Sequence, residues 1–348
     1  MALLVTGVAG FIGSNFVYHY LNEHKERKII GLDSLTYAGN IANLSKLKGE
    51  QKSRFHFVKG DINDQEMLKK IFHDYEVDGI INFAAESHVD RSIHDPQIFL
   101  KTNILGTQNL LHVFKENYNE TKGHRFLQVS TDEVYGALGP TGLFSETTPL
   151  DPHSPYSASK TSADLIVKAY HDTYGLNTII TRCSNNYGPY QFPEKLIPLM
   201  IHNAINHKQL PVYGDGKQIR DWLYVTDHCR AIDMVYEKGK SGEVYNIGGH
   251  NERENIFIVQ SIIKLLNEKT KDPAINEDLI KHVKDRLGHD RRYGIDPTKI
   301  KMEIGWEPSI MFEDGIKMTI DWYLENRKWT QSVISGDYLE FYEKNYIF

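Results

Sequence analysis

Cysteine is scarce: only Cys183 and Cys229 occur in 348 residues, too few for a disulfide framework, and a reducing compartment is expected. No apolar run is long enough to span a bilayer. The apolar stretch at 2–5 is too short for a secretory h-region and no basic segment precedes it. The expectation is therefore a soluble, cytoplasmic protein with no membrane partner. An excess of positive charge is also lacking. At a formal net charge of -6 the chain has no basic footprint for nucleic acid. The sixteen histidines show neither H-E-x-x-H nor another paired ligand spacing, so no metal is expected. No internal repeat or low-complexity tract is evident.

What is present is a chain, 40% hydrophobic, able to bury a large core in one or two domains. Short β-branched runs at 2–6, 28–33, 55–60, 79–84, 125–130 and 178–183 read as strands. Amphipathic stretches at 13–22, 65–74, 96–117 and 155–174 read as the helices between them. This alternation predicts an α/β fold, a Rossmann-like doubly wound parallel sheet covered on both faces. Regularity falls after Tyr187. Turn signals at Gly188-Pro189, Gly214-Asp215-Gly216 and Gly248-Gly249 separate predicted helices near 194–206 and 226–238 and a strand near 210–213, with later helices near 255–268 and 312–326. The expected division is a Rossmann domain over 1–186, with segments near 221–250 returning to it. A smaller, mostly α, interleaved substrate-binding region then covers 187–348.

Gly7-Val8-Ala9-Gly10-Phe11-Ile12-Gly13 follows the first predicted strand and opens the first helix. Glycines there let the backbone turn tightly and approach a pyrophosphate, which the unpaired N–H groups of the helix start then bind. The spacing is G-x-x-G-x-x-G, and taken alone it fits any glycine-rich strand–helix turn. Asp33, at the end of the second strand about twenty residues beyond Gly13, strengthens it. A carboxylate at that place binds a ribose diol and repels a 2′-phosphate, which favours NAD over NADP. Asp61-Ile62, at the end of the third strand, either flanks the adenine or supplies only a helix cap.

Two further signatures carry the chemistry. Ser130-Thr131-Asp132-Glu133-Val134-Tyr135-Gly136 follows the fifth strand, and Tyr156-Ser157-Ala158-Ser159-Lys160 follows one connection later. Tyr156 and Lys160, four apart in a helix, share a face, and an ammonium there is expected to lower the phenol pKa. A phenolate can take the proton of a substrate hydroxyl as hydride leaves its carbon. Neighbours on a strand point to opposite faces, so Asp132 and Glu133 reach one substrate only if the strand has already turned. Asp132 as an acid also needs a raised pKa, which burial beside a second carboxylate provides.

With these motifs the chain resembles the extended short-chain dehydrogenase/reductase family, and T-D-E-V-Y-G is similar to its nucleotide-sugar 4,6-dehydratases. The resemblance runs through 84–90, Thr102-Asn103, 185–189, Arg220-Asp221-Trp222 and 285–293, nearly the whole chain. It implies a hydro-lyase acting on dTDP-glucose with NAD: oxidation at C4, loss of water across C5 and C6, and return of the hydride to C6. It implies Glu133 as the C5 base, Asp132 as the C6 acid, Tyr156 and Lys160 as the C4 oxidation pair, and Thr131 as a bond to the sugar near C4. On the cofactor side it implies Gly7, Gly10, Phe11, Ile12, Gly13, Asp33, Ser34, Leu35, Thr36, Asp61, Ile62, Ala84, Ala85, Glu86, Ser87, Thr102 and Asn186, with Tyr156 and Lys160. On the substrate side it implies Ser87, Thr131, Asn185, Lys195, Leu196, Pro211, Val212, Tyr213, Arg220, Asn255, Asp285, Arg286 and His289. A homodimer through the helices at 96–117 and 155–174 is expected by the same analogy.

Simpler roles stand beside several of these. Arg220 can salt-bridge Asp221 or Asp227, Asn255 can cap the following helix, and Pro211 and Val212 can be core. Two residues depart from the family pattern, Val8 for a glycine in the cradle and Leu287 for a proline in D-R-P-G-H-D. The alternatives are a nucleotide-sugar 4-epimerase or decarboxylase of the same family, and a non-catalytic NAD-sensing protein. An epimerase needs neither the C5 base nor the C6 acid, so the adjacent carboxyls argue against it.

Overall fold

The structure, a computed structural model, describes residues 2–285 and 287–334. Its strands are β1 (Ala2–Thr6), β2 (Lys28–Asp33), β3 (Phe55–Lys59), β4 (Val77–Asn82), β5 (Arg125–Thr131), β6 (Thr178–Cys183), β7 (Asn185–Tyr187), β8 (Leu210–Tyr213), β9 (Ile219–Tyr224), β10 (Val244–Ile247), β11 (Glu252–Glu254) and β12 (Ile280–Val283). Seven of them make one parallel sheet in the order β10-β6-β5-β4-β1-β2-β3. The order reverses between β1 and β4, which opens a crevice at the carboxyl ends of the strands.

Side-chain alternation explains the two covered faces. Leu3, Val5, Ile29, Ile81, Leu127 and Ile179 pack with Phe16, Tyr20, Val225 and Ile232 from the helices Phe11–Glu23 and Val225–Lys238. Leu4, Ile30, Ile80, Phe126 and Ile180 face the other way, against Leu110, Phe114 and Val167. Those three lie on the helices Thr107–Asn117 and Pro155–Tyr174. Because both faces are buried, β1, β4 and β6 are buried along their whole length, and the charged residues they hold are paired inside, as Arg182 is with Asp164 at 2.9 Å.

Several expectations shift in detail. β4 starts two residues earlier than predicted, because the charge of Asp78 is matched by Arg27, which donates to both of its oxygens at 2.5 and 2.8 Å. The single helix expected at 96–117 is divided: Pro96–Phe99, a π-helical stretch Leu100–Gly106, then Thr107–Asn117. The segment 225–247 does pack against the main sheet, with β10 pairing to β6. So does a piece the sequence did not reveal, since Ile300, Ile304 and Trp306 enter the same core and Trp306 Nε1 donates to Asp227 O at 3.2 Å.

The remainder forms a second core under two small sheets, β11-β9-β7 and β12-β8. The helices Leu196–Ile205, Asn255–Thr270 and Phe312–Glu325 enclose it. The region is mostly α, as expected, with short strands of three to six residues among its helices. Among the described residues no helix is long and apolar enough to cross a membrane.

Candidate active site

The carboxyl ends of β1, β2, β3, β4, β5 and β6 open into one cleft, lined by Gly7, Gly10, Phe11, Ile12, Gly13, Asp33, Ser34, Thr36, Asp61, Ile62, Ala84, Ala85, Glu86, Ser87, Thr102, Thr131, Glu133, Tyr156, Lys160, Asn185, Asn186 and Lys195. Residues scattered over half the chain meet because a parallel sheet places every strand's carboxyl end on one edge.

The cradle has the shape its glycines imply. Gly7 has φ +68°, and a Cβ on it would lie 2.8 Å from Ala84 N. One on Gly13 would lie 2.1 Å from Gly7 O. The helix Phe11–Glu23 begins at Gly10 with no side-chain cap, so its leading N–H groups are left to the cleft. Val8 does not obstruct it: the side chain is fully buried in the core beneath. Asp33 accepts from Ala9 N at 2.9 Å and from Leu35 N at 2.8 Å, which binds the end of β2 to the glycine loop. Its carboxylate keeps lone pairs for a diol. Leu35 itself does not line the cleft and takes φ +56° in the turn. Asp61 accepts from Asn63 N at 2.9 Å, while the cap of the next helix is Asp64, so the helix-cap role belongs to its neighbour.

At the reacting end the strand has turned. β5 stops at Thr131, and Asp132–Tyr135 forms one turn of 3₁₀ helix with Thr131 as its cap. Thr131 Oγ1 accepts from Glu133 N at 3.3 Å and donates to Asp132 Oδ1 at 3.4 Å. Glu133 reaches the cleft wall, whereas Asp132 sits behind it, 2% exposed. Ser154 and Ser157 form a capping box and Pro155 fills the first helical turn, so Tyr156 enters the cleft at the very start of its helix and Lys160 one turn on. Ser92 Oγ accepts from Tyr156 N at 3.2 Å, and Lys160 Nζ donates to Val129 O at 2.8 Å.

Electrostatics separates these groups. Burial, and then the charges of Glu133 and Asp221, push the Asp132 carboxyl well above the usual range, against a smaller pull from Arg220. Its Oδ2 is buried with no partner, as suits a carboxyl that keeps its proton. Burial, Glu133 and Cys183 likewise push the Tyr156 phenol well up. Burial pushes Lys160 down. Desolvation and a neighbouring carboxylate thus hold the phenol protonated in the protein alone, where Lys160 is turned to Val129 O.

Asp132 also links pH to stability. An unfolded aspartate titrates near ~4, and the folded one titrates higher, so folding takes up a proton in the window between. Stability falls as pH rises through that window. Asp132→Asn removes the loss and is expected to melt above the wild type near neutral pH, the gap closing toward ~4. Identical melting curves at every pH would contradict the burial argument.

The substrate-side residues divide into two groups. Asn185 and Lys195 line the cleft; Asn185 Oδ1 is buried without a partner, and Lys195 Nζ donates to Ser87 O at 3.0 Å. Asn186 lines it too, but its side chain is engaged, donating to Ser184 O at 3.0 Å and meeting His228 Nδ1 at 2.9 Å. The second group lies beyond the cleft wall. Tyr213 Oη donates to Asp90 at 3.4 Å and stands edge-on to His289, which bonds Asp285 at 2.6 Å. The Arg220 guanidinium lies 4.2 Å from the Tyr293 ring centroid and donates to Asp290 O at 2.9 Å. Asp221 instead accepts from Gly249 N and Asn251 N, both at 2.7 Å. Asn255 is not the helix cap, which is Glu254, and its Oδ1 is buried without a partner. Val212 and Leu196 pack in the second core and Pro211 is buried beside Val212, so these three contribute packing. Arg286 lies outside the described residues.

Sequence reasoning placed Asn103 in the motif Thr102-Asn103 but gave it no role. It accepts from Glu86 N at 2.9 Å, donates to Glu86 O at 3.0 Å and to Ser159 Oγ at 2.8 Å, tying the loop after β4 to the helix of Tyr156. Its place in the π-helical stretch was a signal only in hindsight of the backbone. Far from the cleft, His24, Asp233 and Glu237 bring donor atoms within 4.8 Å of one another, but His19 and His24 each already bond Asp233.

Comparison with known proteins agrees with this geometry. A family model described as GDP-mannose 4,6 dehydratase matches residues 4–319. The chain is 53% identical over 342 residues to a dTDP-glucose 4,6-dehydratase of Xanthomonas campestris pv. campestris (strain B100), covering 96% of each. A dTDP-glucose 4,6-dehydratase of Streptomyces venezuelae, solved with NAD and TYD bound, matches with a TM-score of 0.89 and 46% identity over 96% of this chain and 100% of that one. Another from Bacillus anthracis str. Ames, solved in complex with NAD, matches at 0.85 and 49% identity over 96% and 99%.

Proposed function

The chain belongs to the dTDP-glucose 4,6-dehydratase family, and on that premise we propose how its own residues divide the work. The reaction is the NAD-dependent dehydration of dTDP-glucose to dTDP-4-keto-6-deoxyglucose. NAD, when bound, takes the hydride from C4 and gives it back at C6. The residues present suit that cofactor: an uncapped helix start for the diphosphate, a loop in which Cβ atoms would clash, and Asp33 for a ribose.

Tyr156 takes the proton of the C4 hydroxyl, and Lys160 fixes its surroundings through Val129 O. The resulting C4 ketone acidifies C5–H, and Glu133 removes that proton. Asp132 gives its proton to the C6 hydroxyl, which departs as water. Thr131 holds both carboxyls in register and bonds to the sugar. The observation that carries this assignment is the contrast between two adjacent carboxyls, one fully buried and raised, the other on the cleft wall. Asn185 and Lys195 take the diphosphate-sugar side, and Tyr213, Arg220, Asn255, Asp285 and His289 the nucleotide.

Substrate carrying deuterium at C4 tests the reaction. The label is expected at C6 of the product. Retention at C4 with inversion would mark an epimerase, and no turnover an NAD-sensing protein.

The remaining assignments are coarser. A sheet domain over 1–186 with 221–250 returning, interleaved with a nucleotide-sugar region over 187–348, accords with the two separate cores. A homodimer is supported by Leu100, Leu105, Leu165 and Tyr174, which leave apolar surface exposed on the two helical segments expected to pair. A cytoplasmic location fits two buried free cysteines.

A further inference from the structure

Segments from opposite halves of the sheet meet across the mouth of the cleft. One, after β2, carries Tyr37; the other, after β7, carries Phe192 and Glu194, and all three residues line the cleft. In the sheet β2 lies on one side of the reversal between β1 and β4, and β6, which leads into β7, lies on the other. A contact between these segments therefore crosses the crevice in which a dinucleotide lies.

That contact is built from several parts. The Tyr37 ring meets Phe192 nearly edge-on, with 5.7 Å between centroids at 85°. Its hydroxyl lies beside the Glu194 carboxylate, which is only 4% exposed. Arg91, from the helix Val89–His94 after β4, donates through Nε to Glu194 at 3.2 Å. Its guanidinium carbon also stands 3.8 Å from the Tyr37 ring centroid, a close cation–π contact. Three segments of the chain are thus joined over one opening by an ion pair, a cation–π contact and an edge-on ring pair.

We propose that Tyr37, Arg91, Phe192 and Glu194 form a strap that retains NAD through the whole catalytic cycle. The proposal rests on the reading of the cleft as an NAD site. The chemistry gives the strap its purpose. The hydride removed from C4 has to be at hand when C6 is ready, so escape of the reduced cofactor between those events would strand the unsaturated sugar. Opening the strap requires breaking the Arg91–Glu194 pair and the Tyr37 ring contacts together, which slows exchange without touching the reacting groups.

The test uses the full-length protein loaded with isotopically labelled NAD, chased with excess unlabelled NAD. Wild type is expected to release label slowly. Tyr37→Ala, which removes the ring and the hydroxyl, is expected to release it about tenfold faster or more, and to leak NADH into solution during turnover. Tyr37→Phe keeps the ring over Arg91 but loses the hydroxyl beside Glu194, and is expected to fall between the two. It also serves if the alanine variant fails to fold. Release at the wild-type rate from folded Tyr37→Ala, or from Tyr37→Phe where only that variant folds, overturns the strap while leaving the NAD site intact. Absence of NAD binding by the wild type itself would remove the cleft reading, and the strap with it.

Discussion

Glu133→Gln is expected to keep substrate and cofactor bound while kcat falls by about 10²–10⁴-fold, the range that a positioned acid or base supplies. Glutamine preserves the volume of the side chain, and the bond from Glu133 N to Thr131 Oγ1 is made by the backbone, so the 3₁₀ turn survives the change. The variant loses only the ability to remove the C5 proton. Oxidation at C4 does not need that step, so NADH absorbance is expected to appear and persist after mixing with dTDP-glucose. A second consequence follows from charge. Glu133 is one of the causes that hold the Tyr156 phenol up, after burial. Its neutralisation makes the phenolate easier to form and should move the pH profile of the oxidation half-reaction toward acid. Turnover near the wild-type rate would remove the base assignment, and an unmoved pH profile would remove the coupling between the two residues.

The difference between what the sequence discloses and what it hides follows from where each residue finds its partner. β1 and the centres of β4 and β6 are legible because burial on both faces selects apolar residues there, Ile80-Ile81 and Ile179-Ile180 in the latter two, a property each short run carries in itself. The glycine loop and Asp33 are legible for a similar reason, being joined by bonds across only 24 residues. β9 and β11 are not. Their Arg220-Asp221 and Glu252-Arg253-Glu254 look like loop residues until the distant partners arrive, Gly249 and Asn251 for Asp221 and Arg292 for Glu252. The same holds at the site. Tyr156, Lys160, Asp132 and Glu133 announce themselves by side-chain chemistry in two short motifs. Asn103 stands in a motif that gave it no role, Tyr37 and Arg91 have no motif of their own, and all three matter because of contacts 56, 155 and 103 positions away along the chain, to Ser159, Phe192 and Glu194. Val212 errs the other way: a motif position that packing claims for the second core.

Tyr156→Phe is expected to block the reaction one step earlier than Glu133→Gln. The phenylalanine ring keeps the contact with Phe99, 6.3 Å between centroids, and the helix keeps its capping box, so the fold should hold. What disappears is the oxygen that accepts the C4 hydroxyl proton. Rapid mixing with dTDP-glucose should then show no transient NADH, where Glu133→Gln shows a lasting signal, and kcat should fall by about 10²–10⁴-fold. The two variants differ only in where the cycle stops, which makes the pair more informative than either loss alone. Burial and Glu133 oppose ionisation of Tyr156, while Lys160, itself pushed down by burial, is aimed at Val129 O. A phenol in that setting has to give up its own proton to solvent, with the neighbouring cation balancing the charge, before its oxygen can accept the C4 hydroxyl proton as the hydride leaves. The oxidation rate should accordingly carry a primary isotope effect from deuterium at C4 and a solvent isotope effect together. A full solvent effect in Tyr156→Phe, with normal NADH formation, would assign the proton to a different group on the same cleft wall.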